Sequence, residues 1–172
     1  MYLFDTNMCI FTINNPALKG RGMLFSKGDG LGLNTLEERP EGRGIKPSPR
    51  IKKKYQQAIE KIKRNRKKGL YISSITLAEL EFGIENANQE YKTKNRLALM
   101  EFLSIFEIKN FDENASKEYG IIKKDLKDRN CLIGPFDMLI AAHAKSLKMA
   151  LVTNNTGEFE RVKSLMIEDW TK

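Results

Sequence analysis

The feature that most constrains the fold is a short apolar run at the start of the chain that ends directly on polar residues. The run 1–4 is followed at once by Asp5, Thr6 and Asn7. This pattern is typical of a buried strand that carries a carboxylate at its carboxyl end. In open α/β sheets that edge is where ligands bind.

Short apolar runs alternate with segments of helical periodicity along the rest of the chain, which predicts an α/β fold. Further strands are predicted at 70–73, 106–111, 150–153 and 165–167. Helices are predicted at 7–13, from 51 onward, and at 75–84, 90–104, 115–126 and 137–147. In the helix 90–104, Leu97, Met100 and Leu103 lie near one side.

Two further acids occupy places that match that of Asp5. Glu79 follows the predicted strand 70–73, and Asp137 follows Gly134 and Pro135 at the start of a predicted helix. Three carboxylates at one sheet edge repel one another unless a cation lies between them. Their spacing therefore predicts a magnesium-type site suited to phosphodiester chemistry.

Each acid also has a simpler structural interpretation. Asp5 could form an Asx-turn that starts the next helix, and Asp137 could be a helix N-cap. Glu79 could be a surface acid on an amphipathic helix. All three coincidences would have to fall at the same sheet edge, which favours a common site.

A fourth position of the site is expected after the predicted strand 150–153. Asn155 could bind a metal-bound water through its amide oxygen, and Glu158 lies close by in the chain. The sequence leaves the choice between Asn155 and Glu158 open. Thr6, Asn7 and Thr153 are candidates for orienting waters around the acids.

Residues 16–50 break the alternation of strands and helices. They hold seven of the twelve glycines and four of the five prolines, and this composition offers little to offset the entropy cost of ordering. We interpret 16–50 as a flexible inserted segment within a single domain that spans 1–172. Its Gly28-Asp29-Gly30 stretch neither follows a strand nor opens a helix, which argues against a phosphate loop.

The positive charge of the chain is concentrated in residues 51–69. This segment has nine Lys or Arg residues against the single acid Glu60, an excess equal to the whole chain's net charge of +8. Such a segment attracts polyanions, although it could also be a solvated helix face. We take Lys61, Lys63, Arg64, Arg66 and Lys67 as candidates for contacts with an RNA backbone.

Several function classes are disfavoured. No apolar run reaches the ~18 residues of a membrane span, and Asp5 interrupts the first run too early for a secretory signal. Cys9 and Cys131 lie far apart without metal-ligand spacing, which argues against a disulfide framework or zinc site and favours the cytoplasm. His143, the one histidine, is six residues from Asp137 and is expected to face away from the acids.

Longer motifs around the acids resemble one known family. The runs Asp5-Thr6-Asn7, 72–83, 134–144 and 151–156 together look like the PIN-domain ribonuclease toxins of VapC type. The resemblance covers about 1–15 and 51–170, on both sides of the segment 16–50. It implies a PIN-like domain, in which a central, mainly parallel sheet is flanked by helices and the acidic site lies at the carboxyl edge of the sheet.

The resemblance also implies site residues and a cofactor. The family's metal-binding, catalytic acids carry over onto Asp5, Glu79 and Asp137, with Mg²⁺ or Mn²⁺ as the ion. Its fourth acidic position falls at Asn155, which is a departure from the family pattern. The segment 16–50 is a second departure.

The functional hypothesis is a metal-dependent endoribonuclease that cleaves structured RNA such as transfer RNA, as the toxin of a toxin–antitoxin pair. The resemblance implies an antitoxin partner, operator DNA contacts only through the antitoxin complex, and a homodimer or hetero-oligomer. One alternative is a catalytically silenced PIN-like protein that binds RNA or antitoxin. A weaker one is a metal-dependent phosphatase, which would leave the basic helix unexplained.

Overall fold

The computed structural model describes residues 1–13 and 49–172 of the chain. Its strands are β1 (Tyr2–Phe4), β2 (Leu70–Ser73), β3 (Glu107–Lys109), β4 (Ala150–Val152) and β5 (Ile167–Glu168). Its helices are α1 (Thr6–Ile13), α2 (Pro49–Asn65), α3 (Ser74–Glu85), α4 (Gln89–Leu103), α5 (Glu113–Asp128), α6 (Pro135–Ser146) and α7 (Thr156–Phe159). A 3-10 turn, Arg66–Lys68, connects α2 to β2.

The strands form one sheet in the order β3-β2-β1-β4-β5, and every pairing is parallel. This confirms the prediction of an α/β fold. The strand β1 lies at the centre, with Leu3 paired to Tyr71 on one side and to Leu151 on the other. Because successive strands are added first on one side of β1 and then on the other, the topology switches between β1 and β4.

Side chains alternate between the two faces of the sheet and create two cores. Leu3 and Leu151 pack with buried residues of α5 and α6, whereas Phe4, Ile72 and Val152 pack with α1 to α4. A strand that is covered on both faces has a continuous apolar sequence. The short apolar runs of this chain therefore predicted the positions of its strands well.

Several predicted boundaries need correction. The last strand is Ile167–Glu168 instead of 165–167, and the short helix Thr156–Phe159 was not predicted. Pro49 and Arg50 belong to α2, so they are not part of a flexible segment. The rest of the segment interpreted as an insertion, 16–48, lies outside the described residues.

The predicted apolar side of α4 is not the buried one. Leu97 and Met100 are 57% and 63% exposed, while Ala98, Leu99 and Phe102 are buried. The helix carries two overlapping apolar stripes, and periodicity alone does not tell which one meets the sheet. None of the described helices has the length and apolar character needed to cross a bilayer.

The C-terminal tryptophan closes the core on the α1 to α4 side. Trp170 is fully buried and makes edge-on contacts with Tyr2 and Phe4, at ring-centroid distances of 4.9 and 5.1 Å. It thereby ties the end of the chain to the central strand.

We expect Trp170→Ala to lower the free energy of unfolding by about 3–5 kcal/mol, because a large buried ring is lost and a cavity remains. Phe82→Ala is the matched control, since that ring is 55% exposed, and it should cost less than about 1 kcal/mol. Urea titration followed by far-UV circular dichroism measures both. Equal effects of the two variants would contradict the packing described here.

Candidate active site

The acidic site begins where the topology of the sheet switches. Asp5 follows β1, and Thr153 follows the neighbouring strand β4. The hydroxyl of Thr153 donates a hydrogen bond to Asp5 Oδ2 at 2.7 Å. Both residues are fully buried. The switch point of the sheet, at the carboxyl ends of β1 and β4, therefore holds a carboxylate and a donor that keeps it in place.

Asp5 is anchored on its other oxygen by the helix that it starts. The backbone N–H of Met8 donates to Asp5 Oδ1 at 2.7 Å, in the manner of a helix N-cap. The side chain of Asn7 also hydrogen-bonds Asp5. The simpler interpretation of Asp5 as the start of a helix is thus also correct, and it does not compete with a role in the site.

Glu79 reaches the same region from α3. It is 7% exposed, so its interpretation as a surface acid is wrong. The hydroxyl of Thr6, the first residue of α1, donates to Glu79 Oε2. Because Thr6 follows Asp5 directly, this contact holds the Glu79 side chain next to Asp5.

Asp137 comes from the first turn of α6. The N-cap of this helix is Gly134, which shows that Asp137 is not the N-cap. A Cβ atom at Gly134 would lie 3.2 Å from Asp137 Oδ2, so glycine leaves the room that the carboxyl group occupies. Asp5 and Glu79 lie close enough for their charges to raise the pKa of Asp137, so the three predicted acids share one region of the structure.

The two candidates for the fourth position contact the site in different ways. Glu158 in α7 hydrogen-bonds Asp137 through the two carboxyl groups. Asn155 contacts the site through its backbone N–H, which donates to the Thr153 hydroxyl at 2.9 Å. The Glu158 side chain therefore lies beside the acids, whereas Asn155 contacts the site through its backbone.

Burial and mutual repulsion favour the protonated form of these acids. Desolvation by burial is the main cause that raises the pKa of Asp5 to about 7. The hydrogen bonds from Thr153 and Met8 act in the opposite direction and lower this pKa. Desolvation, the hydrogen bond with Glu158 and the charges of Asp5, Glu158 and Glu79 raise the pKa of Asp137 to about 8. Burial also raises the pKa of Glu79.

This set of groups suits a hard divalent cation. Carboxylate oxygens are the ligands that Mg²⁺ prefers, and a cation would reverse the repulsion among Asp5, Glu79 and Asp137. Among residues 1–13 and 49–172, no three acidic, histidine or cysteine side chains are already gathered as a complete metal-binding group. The hydrogen bond that joins Asp137 to Glu158 is a contact that a shared ion would replace.

Comparison with known proteins identifies the family. Residues 49–165 match the model of the PIN domain. A tRNA(fMet)-specific endonuclease VapC of Shigella flexneri is 32% identical over 99% of this chain and 98% of its own length. The corresponding protein of Salmonella typhimurium is 38% identical over 98% of this chain and 97% of its own. The chain is a PIN-domain protein of the VapC family.

Solved structures of VapC-family complexes share the fold. DNA-bound VapBC from Salmonella typhimurium aligns with a TM-score of 0.71 at 31% identity, over 98% of this chain and 97% of that one. VapBC2 from Rickettsia felis, bound to a promoter DNA fragment, aligns with a TM-score of 0.69 at 29% identity, over 98% of both chains. The predicted PIN-like fold is confirmed.

Sequence reasoning missed a polar contact beneath the site of this VapC-family chain. Ser73 ends β2, is fully buried and caps α3 by accepting a hydrogen bond from the Ile75 backbone N–H at 3.0 Å. Its hydroxyl also lies 2.8 Å from His143 Nδ1. The contact joins the helix of Glu79 to the helix of Asp137. A serine between an apolar run and a helix is an N-cap signal that could have revealed the first half of it.

Neither His143 nor Cys9 is placed to act as a nucleophile. His143 is fully buried beneath the site, and its burial lowers its pKa, so the ring is neutral at pH 7. Burial and the nearby charges of Asp5 and Glu79 raise the pKa of Cys9, which keeps it a thiol. Both placements agree with the packed roles that the sequence favoured.

The basic candidates lie apart from the acids. Lys63, Arg64, Arg66 and Lys67 are exposed near the end of α2 and in the 3-10 turn. Lys61 is half-buried, and its ammonium group donates to the backbone carbonyls of Asp169 and Lys172 at 3.2 and 3.0 Å. Lys61 is thus engaged with the end of the chain, unlike the other four.

The raised carboxyl pKa values predict that the metal-free protein loses stability as the pH rises. Unfolded aspartates lose their protons near pH 4, whereas folded Asp5 and Asp137 retain theirs until about pH 7 and 8, so the folded state binds more protons. His143 acts in the opposite direction only up to about pH 6.5, where its unfolded form loses its proton. We therefore expect the free energy of unfolding of the metal-free protein to fall by about 1–2 kcal/mol between pH 6.5 and 8.

Urea unfolding in EDTA at pH 6.5, 7.2 and 8 measures this fall. Asp137→Asn should remove most of it, while Asp128→Asn, an exposed acid on α5, should leave it unchanged. A metal-free wild type whose stability rises over this interval would show that the acids are not held protonated by their surroundings.

Proposed function

We propose that this chain is a metal-dependent endoribonuclease that cleaves structured RNA, with transfer RNA as the substrate class. The observation that carries the proposal is the convergence of Asp5, Glu79 and Asp137 at the switch point of a parallel sheet. It is supported by the end-to-end similarity to VapC proteins that are named tRNA(fMet)-specific endonucleases.

In this proposal Asp5, Glu79 and Asp137 hold Mg²⁺ or Mn²⁺. The ion would lower the pKa of a bound water and neutralise charge on the phosphate during in-line attack. The protein's part is to keep the acids in position. Thr153 and the Met8 N–H fix the two oxygens of Asp5, and Thr6 fixes Glu79. These donors hold Asp5 and Glu79 in place, and Asp137 would exchange its hydrogen bond with Glu158 for the ion.

The partner in the proposal is an antitoxin of VapB type. The chain resembles, over nearly its whole length, the toxin subunit of VapBC complexes that were solved with DNA. We infer that this chain forms a hetero-oligomer with its antitoxin, contacts operator DNA through that complex and acts on RNA in the cytoplasm. We also infer that residues 1–172 form one domain with 16–48 as an insertion, because β1 pairs with strands on the far side of that segment.

The test is cleavage of total transfer RNA by the purified chain with Mg²⁺ or Mn²⁺, with EDTA as one control. We expect discrete fragments from the wild type and a loss of more than about 100-fold in rate for Asp5→Asn, because a proposed metal ligand is removed. Asp128→Asn removes an exposed carboxylate on α5 and should keep the wild-type rate.

Two outcomes would contradict the proposal. Cleavage that persists in EDTA, or in Asp5→Asn, would show that the acids do not carry the chemistry. Folded protein that binds RNA but cuts nothing with either ion would instead support the silenced RNA-binding protein.

A second experiment decides the fourth position of the site. We expect Glu158→Gln to slow cleavage about 10- to 100-fold, because Glu158 contacts the carboxyl group of Asp137. Asn155→Ala should change the rate less than about 3-fold, since the site contact of Asn155 is made by its backbone. Initial cleavage rates measure both, with Glu160→Gln on the exposed side as the matched control. A larger effect at Asn155 than at Glu158 would assign the position to Asn155.

A further inference from the structure

A group of exposed cations lies at the end of α2 and in the 3-10 turn that follows. We call Lys63, Arg64, Arg66, Lys67 and Lys68 the basic end of α2; all five are exposed. Among the described residues, one acid approaches them within ion-pair distance, namely Glu60, at 3.8 Å from Arg64. The positive charge of this surface is therefore almost uncompensated.

Many cations on α4, α5 and α6 are held in ion pairs, in contrast to this surface. Arg96 on α4 binds Glu81 and Glu85, at 2.9 Å each, and Arg129 after α5 binds Asp125 at 2.5 Å. Further pairs involve Lys92, Lys117, Lys124, Lys145 and Lys163. A paired surface projects little field, whereas an unpaired cluster attracts anions over about a Debye length of 10 Å.

The basic end of α2 is held on a rigid support. Tyr55, Ala58 and Ile62 bury the opposite side of the helix, and the ring of Tyr55 stacks on Phe11 at a centroid distance of 4.4 Å. Lys61 fastens the helix to the end of the chain through two backbone carbonyls. The exposed cations thus have fixed positions relative to the sheet, unlike those of a flexible basic tail.

The basic end of α2 lies at the sheet edge opposite to the acids. The turn Arg66–Lys68 ends at Gly69, whose carbonyl accepts a hydrogen bond from the N–H of Tyr2 at 3.2 Å, at the amino end of β1. Asp5 follows the carboxyl end of the same strand. A strand of this length spans roughly 10 Å, so the two surfaces are separated by at least the height of the sheet.

We propose that the basic end of α2 is a second contact surface for the RNA substrate, which engages backbone phosphates away from the bond that is cut. This inference rests on the proposed ribonuclease function. A folded RNA can pass along the flank of the domain and present many phosphates to the basic end of α2 while one of its bonds lies at the acids, whereas a fragment of a few nucleotides offers few phosphates for both surfaces at once. The surface would therefore favour structured RNA over short fragments without reading its sequence.

The composition of the surface favours a nucleic-acid backbone over a protein partner. From Lys63 to Lys68, every exposed side chain is a cation, and the apolar Ile62 is turned inward. Protein interfaces typically have an apolar centre within a polar rim, and the exposed side chains between Lys63 and Lys68 do not provide one. Lys and Arg without interspersed apolar groups are typical of phosphate contacts.

The test compares two variants that each lose four positive charges. The first carries Lys63→Gln, Arg64→Gln, Arg66→Gln and Lys67→Gln on the basic end of α2. The control carries Lys117→Gln, Lys123→Gln, Lys124→Gln and Lys127→Gln on α5. Both sets are placed in the Asp5→Asn background, and fluorescence anisotropy measures binding to labelled transfer RNA, to a six-nucleotide RNA and to duplex DNA.

We expect the first variant to bind transfer RNA about 10- to 100-fold more weakly at 0.1 M salt. The slope of the logarithm of the binding constant against the logarithm of the salt concentration should become shallower by about 3. Affinity for the six-nucleotide RNA should fall less than affinity for transfer RNA, because the fragment offers fewer phosphates, and the control should change binding to transfer RNA less than about 3-fold. With Asp5 restored, the first variant should raise KM for transfer RNA and leave kcat unchanged. Circular dichroism melts verify that both variants fold. If the first variant does not fold, the double variant Lys63→Glu with Lys67→Glu changes the net charge by the same amount with two substitutions.

Three results would overturn the inference. Equal losses in the two variants would show a general effect of net charge, and unchanged binding would show that the surface touches no RNA. A loss confined to duplex DNA would assign the surface to DNA. Because binding is measured without cleavage, a protein that cuts nothing would refute the ribonuclease function while this comparison still reports on the surface.

Discussion

The structure depends on the burial of one carboxyl group at the carboxyl ends of the paired strands β1 and β4. Asp5 is fully enclosed and accepts hydrogen bonds from Thr153 Oγ1 and from the N–H of Met8. The first bond ties β1 to the segment after β4, and the second starts α1. A buried charge without such donors would be prohibitively costly, so the local fold around the switch point is built to satisfy Asp5.

Glu79 and Asp137 add to the free-energy cost of burying charge at this site. Glu79 is held beside Asp5 by Thr6, and Asp137 lies over Gly134 against Glu158. Protonation relieves the repulsion in the metal-free protein, and a divalent cation would relieve it in the active one. The site thus gathers like charges at a cost in stability, and the proposed cation would offset that cost.

The two charged regions of the domain are separated by the sheet. The acids lie at the carboxyl edge of the sheet, whereas the exposed cations at the end of α2, of which Arg64 alone has an ion pair among the described residues, lie at the amino edge. If both regions contact one RNA, the acids supply the chemistry and the cations supply affinity over a longer distance. Separation also keeps the cations from forming ion pairs with the acids, which would reduce the affinity of both regions for their ligands.

The sequence alone predicted the family, the places of the strands and three acids that the structure brings into one region. Continuous apolar runs such as 70–73 mark strands buried on both faces, and an acid after such a run falls at the carboxyl edge wherever the strand lies in the sheet. Only the tertiary structure decided which side of α4 is buried, that Glu158 contacts Asp137, that His143 meets Ser73 and that Lys61 is engaged with the end of the chain. These contacts join residues far apart in the chain or on different elements. Periodicity reports only how residues are arranged within one element, and the packing of elements against each other sets the rest.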